Sequence, residues 1–119
     1  MLGVGHADTR ETARSSGARC FALRINDDAE GKTNLALDDV AGEVLVVSQF
    51  TLFANCKKGR RPSFTEAAPP AQATELYEYF VSLARADVPH VATGRFGANM
   101  QVELVNDGPF TIVLDTDEL

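Results

Sequence analysis

The chain has 119 residues, of which 45% are hydrophobic and 24% charged, so it is long enough for one folded domain with its own core. The net charge of −6 excludes the overall positive field that DNA binding depends on, and the sequence contains no apolar run long enough for a membrane span. With two cysteines and no signal peptide, a disulfide framework is excluded and a cytoplasmic protein is expected.

The N-terminal residues have the pattern of the end of a strand, because Leu2 and Val4 alternate with glycines. We therefore expect one domain over residues 1–119 that is shortened at its N-terminus. Asp8 or Thr9 is a suitable N-cap for a helix running to about Arg19. The alternating residues 20–25 then predict a strand, followed by turn residues at 26–28 and 31–32.

The strongest predicted strand covers residues 43–53. Its first part, 44–47, is apolar on both faces, which is typical of a central strand. From Ser48 onward polar and apolar residues alternate, so polar side chains emerge where the buried strand ends. Functional sites are often built at such positions.

A long irregular segment, 54–70, precedes a helix predicted over 71–86 with an apolar stripe typical of a core-facing surface. Three further strand patterns follow, at 90–96, 100–105 and 110–114. The last two flank Asn106-Asp107-Gly108-Pro109, whose residue types favour a hairpin turn. The element order predicts an α+β domain, mainly antiparallel sheet with two helices.

Common catalytic and metal-binding motifs are absent from the sequence. The two histidines and two cysteines lack the spacing of a zinc site, so neither a metal nor another cofactor is expected. No G-x-S-x-G motif indicates a serine hydrolase. Cys56 lies beside Lys57 and Lys58, whose positive charge favours a thiolate, which leaves a thiol hydrolase as one alternative.

Four motifs occur together: Ser48-Gln49-Phe50-Thr51-Leu52, Gly-Arg-Arg-Pro-Ser-Phe-Thr at 59–65, Gly-Arg-Phe-Gly-Ala-Asn-Met-Gln-Val at 94–102, and Asn106-Asp107-Gly108-Pro109-Phe110-Thr111. In these motifs, and over essentially the whole chain from Leu2, the sequence resembles the D-aminoacyl-tRNA deacylase family. The resemblance implies a β-barrel-like domain that forms a homodimer. It also implies hydrolysis of the ester that joins a D-amino acid, or achiral glycine, to the terminal adenosine of tRNA.

The resemblance implies a catalytic site at Ser48, Gln49, Phe50 and Thr51. We expect a backbone N–H near Phe50 and Thr51 to stabilise the developing oxyanion. Thr51 is expected to position the substrate, because no activating base lies beside it in the sequence, and the 2′-hydroxyl of the tRNA is expected to help activate water. Ser48 and Gln49 would orient the strand and the substrate.

The remaining roles fall on three other segments. Gly108 and Pro109, joined by a cis bond, are expected to reach into the partner subunit's pocket, where their carbonyls accept the substrate's ammonium and exclude an L side chain. Phe96 and Met100 are expected to line the adenine pocket, with a core role as the open alternative. The four residues of one compact basic loop are expected to contact phosphates of the tRNA acceptor stem: Lys57, Lys58, Arg60 and Arg61.

Two features of the resemblance leave an alternative open. Family members begin with a strand pair ahead of Leu2, and an arginine on the first of those strands supports the Gly-Pro loop. Because this chain lacks that segment, a non-catalytic dimer that binds RNA or another partner is the competing interpretation.

Overall fold

A computed structural model describes all 119 residues. Its helices and strands are α1 (Arg10–Ala22), β1 (Asn26–Asp27), β2 (Thr33–Leu35), β3 (Val44–Val46), α2 (Pro70–Asp87) and β4 (Val91–Thr93). Three short 3-10 helices cover Asp38–Val40, Phe50–Phe53 and Thr116–Glu118. The α+β class with two helices is confirmed. Neither helix combines the length and apolarity that crossing a bilayer requires.

Helix α1 begins as predicted but ends later. Thr9 is the N-cap, and its side chain accepts a hydrogen bond from the N–H of Thr12, whose hydroxyl accepts one from Thr9 N–H. The strand predicted over 20–25 is wrong, because the helix continues to Ala22. The side chain of Phe21 packs instead against Phe80 of α2, with ring centroids 5.8 Å apart.

The predicted turn around Gly31 is confirmed and connects the antiparallel pair β1–β2, whereas the turn predicted to start at Asn26 is wrong, because Asn26–Asp27 forms β1. The carboxylate of Asp28 accepts hydrogen bonds from the N–H groups of Lys32 and Glu30, and from the side chain of Asn34. Backbone donors, Lys32 first, together with the Asn34 amide lower the pKa of this carboxyl. Gly31 has φ of +77°, a conformation that glycine adopts without a steric penalty.

The strand predicted over 43–53 is shorter than expected. Strand β3 ends at Val46, and residues 50–53 form a 3-10 helix, so the predicted alternation of side chains past Gln49 is wrong. Strand β3 pairs in parallel with β4. Each sheet has only two strands, so the barrel-like antiparallel sheet expected from the sequence does not form within one chain.

The core lies between one face of α2 and strand β3. Val46, Tyr77, Phe80 and Val81 form the buried cluster, as the predicted stripe on α2 requires. Only 12 of 119 residues are buried, so this core is narrow and a large apolar surface remains outside it.

Residues 101–114, called here the C-terminal arm, extend away from this core. The predicted strands at 100–105 and 110–114 are wrong, because they do not pair with each other and no backbone–backbone hydrogen bond involves the arm. Apolar side chains along it are exposed, among them Val105 at 91% and Val113 at 89%. The chain then returns to contact α1 through the 3-10 helix Thr116–Glu118. The arm therefore has strand-like composition without a strand partner.

Candidate functional site

A cavity of about 720 Å³ opens beside the point where β3 ends, within the range of small-molecule sites. One part of its wall carries Ser48, Gln49 and Phe50, and a second part carries Phe96 and Met100. Motifs separated by more than 40 positions in the sequence thus converge on one pocket. Thr51 follows Phe50 directly but does not line this cavity.

The first wall is held by the N-terminal segment. The N–H of Leu2 donates to Val47 C=O at 2.8 Å, and the N–H of Gln49 donates to Leu2 C=O at 2.8 Å. A Cβ at Gly3 would lie 3.1 Å from the Phe53 ring and 3.2 Å from Gln49 O, so a larger residue would require these neighbours to shift by a few tenths of an ångström. The extended conformation predicted for this segment is therefore observed, and it fixes where the Ser48–Phe50 wall lies.

The 3-10 helix Phe50–Phe53 begins at the cavity-lining residue Phe50 and has two backbone donors without an acceptor. Within this turn, the N–H groups of Leu52 and Ala54 are bonded to backbone carbonyls, whereas those of Phe50 and Thr51 find no acceptor in the chain. The Gln49 side-chain amide donates to the hydroxyl of Thr51. No carboxylate or imidazole bonds to that hydroxyl, so the structure provides no base to make Thr51 a nucleophile.

The second wall folds back on itself around Gly94. The N–H of Arg95 donates to the Met100 sulfur at 3.3 Å. A Cβ at Gly94 would lie only 2.7 Å from that sulfur, so the glycine allows Met100 to close over the backbone. Phe96 and Met100 both line the cavity and are half-buried, and Phe96 also packs against the core cluster, so its core role stays open beside the binding role.

Two further residues line the cavity. Tyr77 belongs to the buried core cluster, as the apolar stripe on α2 predicts, and it also lines the cavity, where its hydroxyl donates to Val46 C=O at 3.0 Å. Burial raises the pKa of this phenol. His6 is exposed and lies at the cavity, with Nε2 2.8 Å from Thr65 O. The position of Tyr77 at the cavity could have been suspected from its hydroxyl on an otherwise apolar stripe. No feature of the sequence indicated that His6 lies there.

The Gly108–Pro109 turn lies on the C-terminal arm and does not line the cavity of its own chain. Its peptide bond is cis, as expected. The turn is held by Asn106, whose side chain donates to the Thr111 hydroxyl at 2.9 Å and accepts from Phe110 N–H at 3.0 Å. The structure therefore gives an ordered, exposed turn that one chain keeps away from its own pocket.

The basic residues lie on an exposed loop next to the pocket. Antiparallel pairing of Asn55 with Ser63 closes the loop, and none of Lys57, Lys58, Arg60 and Arg61 forms an ion pair. Phe64 follows the loop, lines the cavity and meets Phe50 edge-on at 5.3 Å. Cys56 is exposed and lies outside the cavity, and no group of three metal-ligating side chains occurs in the chain.

Comparison with known proteins gives one consistent result. Residues 1–115 match the family model described as D-Tyr-tRNA(Tyr) deacylase. The chain is 53% identical over 119 residues to a D-aminoacyl-tRNA deacylase of Thermotoga petrophila, which covers all of this chain and 80% of that protein.

Two solved structures are also similar. One, titled c-Myc DNA Unwinding Element Binding Protein, is 37% identical with a TM-score of 0.89, over 96% of this chain and 78% of that one. The other, titled as a probable eukaryotic D-amino acid tRNA deacylase, shares the fold with a TM-score of 0.65 at 18% identity, over 82% of this chain and 72% of that one. On the family match and the relative from Thermotoga, this chain belongs to the D-Tyr-tRNA(Tyr) deacylase family.

Proposed function

We propose that this protein hydrolyses the ester bond of D-aminoacyl-tRNA, and of mischarged glycyl-tRNA, releasing the amino acid and tRNA. The observation that carries the proposal is the pair of unbonded N–H groups of Phe50 and Thr51, beside a cavity sized for a terminal adenosine. Family membership supplies the substrate class, since the relative from Thermotoga petrophila is a D-aminoacyl-tRNA deacylase.

Hydrolysis of an ester develops negative charge on the carbonyl oxygen. Preorganised N–H donors stabilise that charge, and removal of one such donor typically costs on the order of 100- to 1000-fold in rate. Phe50 and Thr51 supply these donors without any side-chain chemistry. Thr51 acts as a positioning residue, since its hydroxyl is engaged by Gln49. The 2′-hydroxyl of the terminal ribose then helps to activate the attacking water.

The adenine of the substrate occupies the wall formed by Phe96 and Met100. Aromatic and thioether side chains suit the face of a base, and base stacking on an aromatic side chain contributes about 1–3 kcal/mol. Ser48 and Gln49 line the same cavity and orient the ribose and ester. In this arrangement the ester lies next to the free donors at Phe50.

Chiral selection is assigned to the Gly108–Pro109 turn of a second subunit. The carbonyls of this turn accept hydrogen bonds from the substrate ammonium and fill the space of an L side chain, so a D side chain is accepted without a dedicated pocket. The turn is absent from the cavity of its own chain and is held by Asn106, which supports action in trans.

The homodimer that this requires is supported by the exposed surface of the single chain. The chain exposes 8925 Å². A compact protein of this mass is expected to expose about 6,300 Å². The excess of about 2,600 Å² per chain would correspond to roughly 5,200 Å² over both chains of a dimer, which lies at the upper end of obligate homodimer interfaces. The unpaired backbone of the C-terminal arm would add strands to the partner's sheet, which would produce the larger antiparallel, barrel-like sheet expected from the sequence.

The exposed basic loop is assigned to the phosphates of the acceptor stem. Lys57, Lys58, Arg60 and Arg61 lack ion-pair partners, and Phe64 connects the loop to the pocket. A local basic patch is sufficient for such contacts in a chain of negative net charge. Because aminoacyl-tRNA is made and used in the cytoplasm, we place the activity there.

A second candidate is a non-catalytic nucleic-acid-binding dimer. The specific observation in its favour is the 37% identity to the protein titled c-Myc DNA Unwinding Element Binding Protein. This candidate predicts binding of tRNA without turnover. A Cys56-dependent thiol hydrolase is not supported, because Cys56 lies outside the cavity.

The central test is a deacylation time course with D-Tyr-tRNA and L-Tyr-tRNA. We expect the D ester to be hydrolysed much faster than the L ester, and Cys56→Ala to leave the rate unchanged. Equal rates on both esters contradict the chiral mechanism. Binding of tRNA with no hydrolysis of either ester supports the second candidate.

The cross-subunit arrangement is tested by mixing two inactive variants. Gln49→Ala damages the pocket, and Pro109→Ala damages the turn. In a two-fold symmetric dimer each site takes its pocket from one subunit and its turn from the other. Subunit exchange in an equal mixture therefore restores one intact site in half of the dimers, about a quarter of wild-type activity. No recovery in a mixture shown to exchange contradicts action in trans.

A further inference from the structure

One backbone carbonyl joins three parts of the molecule. The C=O of Val46 accepts a hydrogen bond from the N–H of Gly94 at 3.0 Å and another from the Tyr77 hydroxyl at 3.0 Å. Val46 ends β3, Gly94 follows β4, and Tyr77 belongs to α2. Both lone pairs of this buried oxygen are therefore used, one by each neighbouring element.

The chain leads from this point directly into both walls of the cavity. Val46 precedes Ser48 by two residues, and Gly94 precedes Phe96 by two residues. The Tyr77 ring is only 5% exposed and packs against Phe96, with centroids 5.8 Å apart and planes tilted by 47°. Tyr77 thus contacts Phe96, in one wall, through its ring. Its hydroxyl holds Val46, from which the chain continues into the other wall at Ser48.

We infer that Tyr77 is a positioning residue for the deacylation, holding the oxyanion donors at Phe50 and Thr51 at a fixed distance from the adenine wall. This inference rests on the proposed function. The hydroxyl acts on the donor side, because it anchors the carbonyl from which the Ser48–Thr51 segment continues. The ring acts on the adenine side, because it supports Phe96. Tyr77 itself does not contact the reacting atoms.

The two parts of this side chain predict separable kinetic effects. A displacement of about 1 Å at a catalytic group can cost on the order of 100-fold in rate. A variant lacking the hydroxyl keeps the ring, and Val46 C=O keeps its hydrogen bond from Gly94 N–H, so the variant remains folded. Effects of the hydroxyl should therefore fall on kcat and those of the ring on KM.

The experiment compares Tyr77→Phe with Tyr79→Phe. Tyr79 lies two positions further along the same helix, and its hydroxyl accepts a hydrogen bond from Arg14 at 3.1 Å on the exposed side. Each variant loses one hydroxyl and one hydrogen bond. We expect Tyr77→Phe to lower kcat on D-Tyr-tRNA about tenfold with KM within twofold of wild type, on the scale expected for displaced groups. Tyr79→Phe should leave both constants within about twofold.

A further variant, Tyr77→Leu, removes the ring as well and should raise KM in addition. Rates are normalised to folded protein and measured well below both melting temperatures. An unchanged kcat in Tyr77→Phe, or an equal fall in Tyr79→Phe, overturns the inference.

Failure of the proposed function is recognised separately, because wild-type protein would then hydrolyse neither ester. The inference is then judged by NMR. The amide signals of Phe50, Thr51 and Phe96 should shift in Tyr77→Phe and not in Tyr79→Phe. Unchanged signals in Tyr77→Phe overturn the inference independently of activity.

Discussion

The pocket region and the C-terminal arm use the same kinds of residue in opposite ways. In the pocket region, the backbone groups of Leu2, Val46 and Gln49 form hydrogen bonds with distant segments of the chain. In the arm, residues 101–114 are equally rich in β-branched and apolar residues but form no backbone pair. The first region is complete within one chain, whereas the second has the composition of a strand and no partner to pair with. A single chain therefore builds a pocket and leaves the Gly108–Pro109 turn exposed.

The largest expected difference between the two regions is in stability. Phe80 is 6% exposed and packs against Phe21 in the core. We expect Phe80→Ala to lower the free energy of unfolding by about 3–5 kcal/mol. Val113→Ala, in the arm, should change it by less than about 0.5 kcal/mol in the monomer. Urea unfolding at low protein concentration measures both, and equal losses would mean that the arm is part of the monomer core.

The second prediction separates the selection between D and L esters from the stability of the fold. Asn106→Ala removes both side-chain hydrogen bonds that hold the turn. Since each bond contributes roughly 0.5–1.5 kcal/mol, we expect the ratio of D-ester to L-ester hydrolysis to fall about tenfold. The melting temperature of the monomer should not change. Asp107→Ala is the control, because its side chain forms no hydrogen bond in this turn. A lower melting temperature with an unchanged D to L ratio would contradict the assignment.

The third prediction concerns only the cavity wall formed by Phe96 and Met100, where we place the adenine. In Gly94→Ala the new Cβ would lie 2.7 Å from the Met100 sulfur, so the Met100 side chain must move off Arg95 N–H. We expect KM to rise about fivefold, the equivalent of roughly 1 kcal/mol, with a smaller change in kcat. Combining Gly94→Ala with Met100→Ala removes the steric conflict and should recover stability but not KM. Full recovery of KM would show that Met100 has no role in binding.

The smallest effect is expected at the basic loop. Lys58→Gln should weaken tRNA binding uniformly and reduce the slope of log K against log salt by about 1 if Lys58 contacts one phosphate. Lys32→Gln is the control, because Lys32 lies near Glu30 in the acidic hairpin. Binding titrations at several salt concentrations measure the slope. Equal slopes for wild type and Lys58→Gln would show that Lys58 contacts no phosphate and that this loop is an ordinary solvated surface.

The two regions also differ in how well the sequence predicted them. Helix α2 and its buried stripe were predicted because an amphipathic period is a local pattern, read without knowledge of the partner. The strand predicted through Phe53 failed because Leu2 pairs with Ser48 from a distant part of the chain and the backbone then turns. The hairpin predicted around Gly108 failed because alternation specifies a strand but not its partner.

The candidate site was also predicted only as far as local patterns allow. Ser48, Gln49, Phe50, Phe96 and Met100 were named from motifs, and the structure brings them to one cavity. The core position of Tyr77 follows from its spacing on α2, but its place at the cavity does not, because only the position of Val46 C=O reveals the use of its hydroxyl. A hydrogen bond across 31 positions leaves no trace in a periodic pattern.

The bonding of Leu2 has a practical consequence for work with this protein. Leu2 lines the cavity and is held on both sides by Val47 and Gln49, so its position is fixed. Leu2 also bridges to Ser48, which lies 46 positions further along the chain and lines the same cavity. A substitution or a probe at Leu2 would therefore alter the cavity wall at Ser48, and such a variant cannot serve as a neutral control.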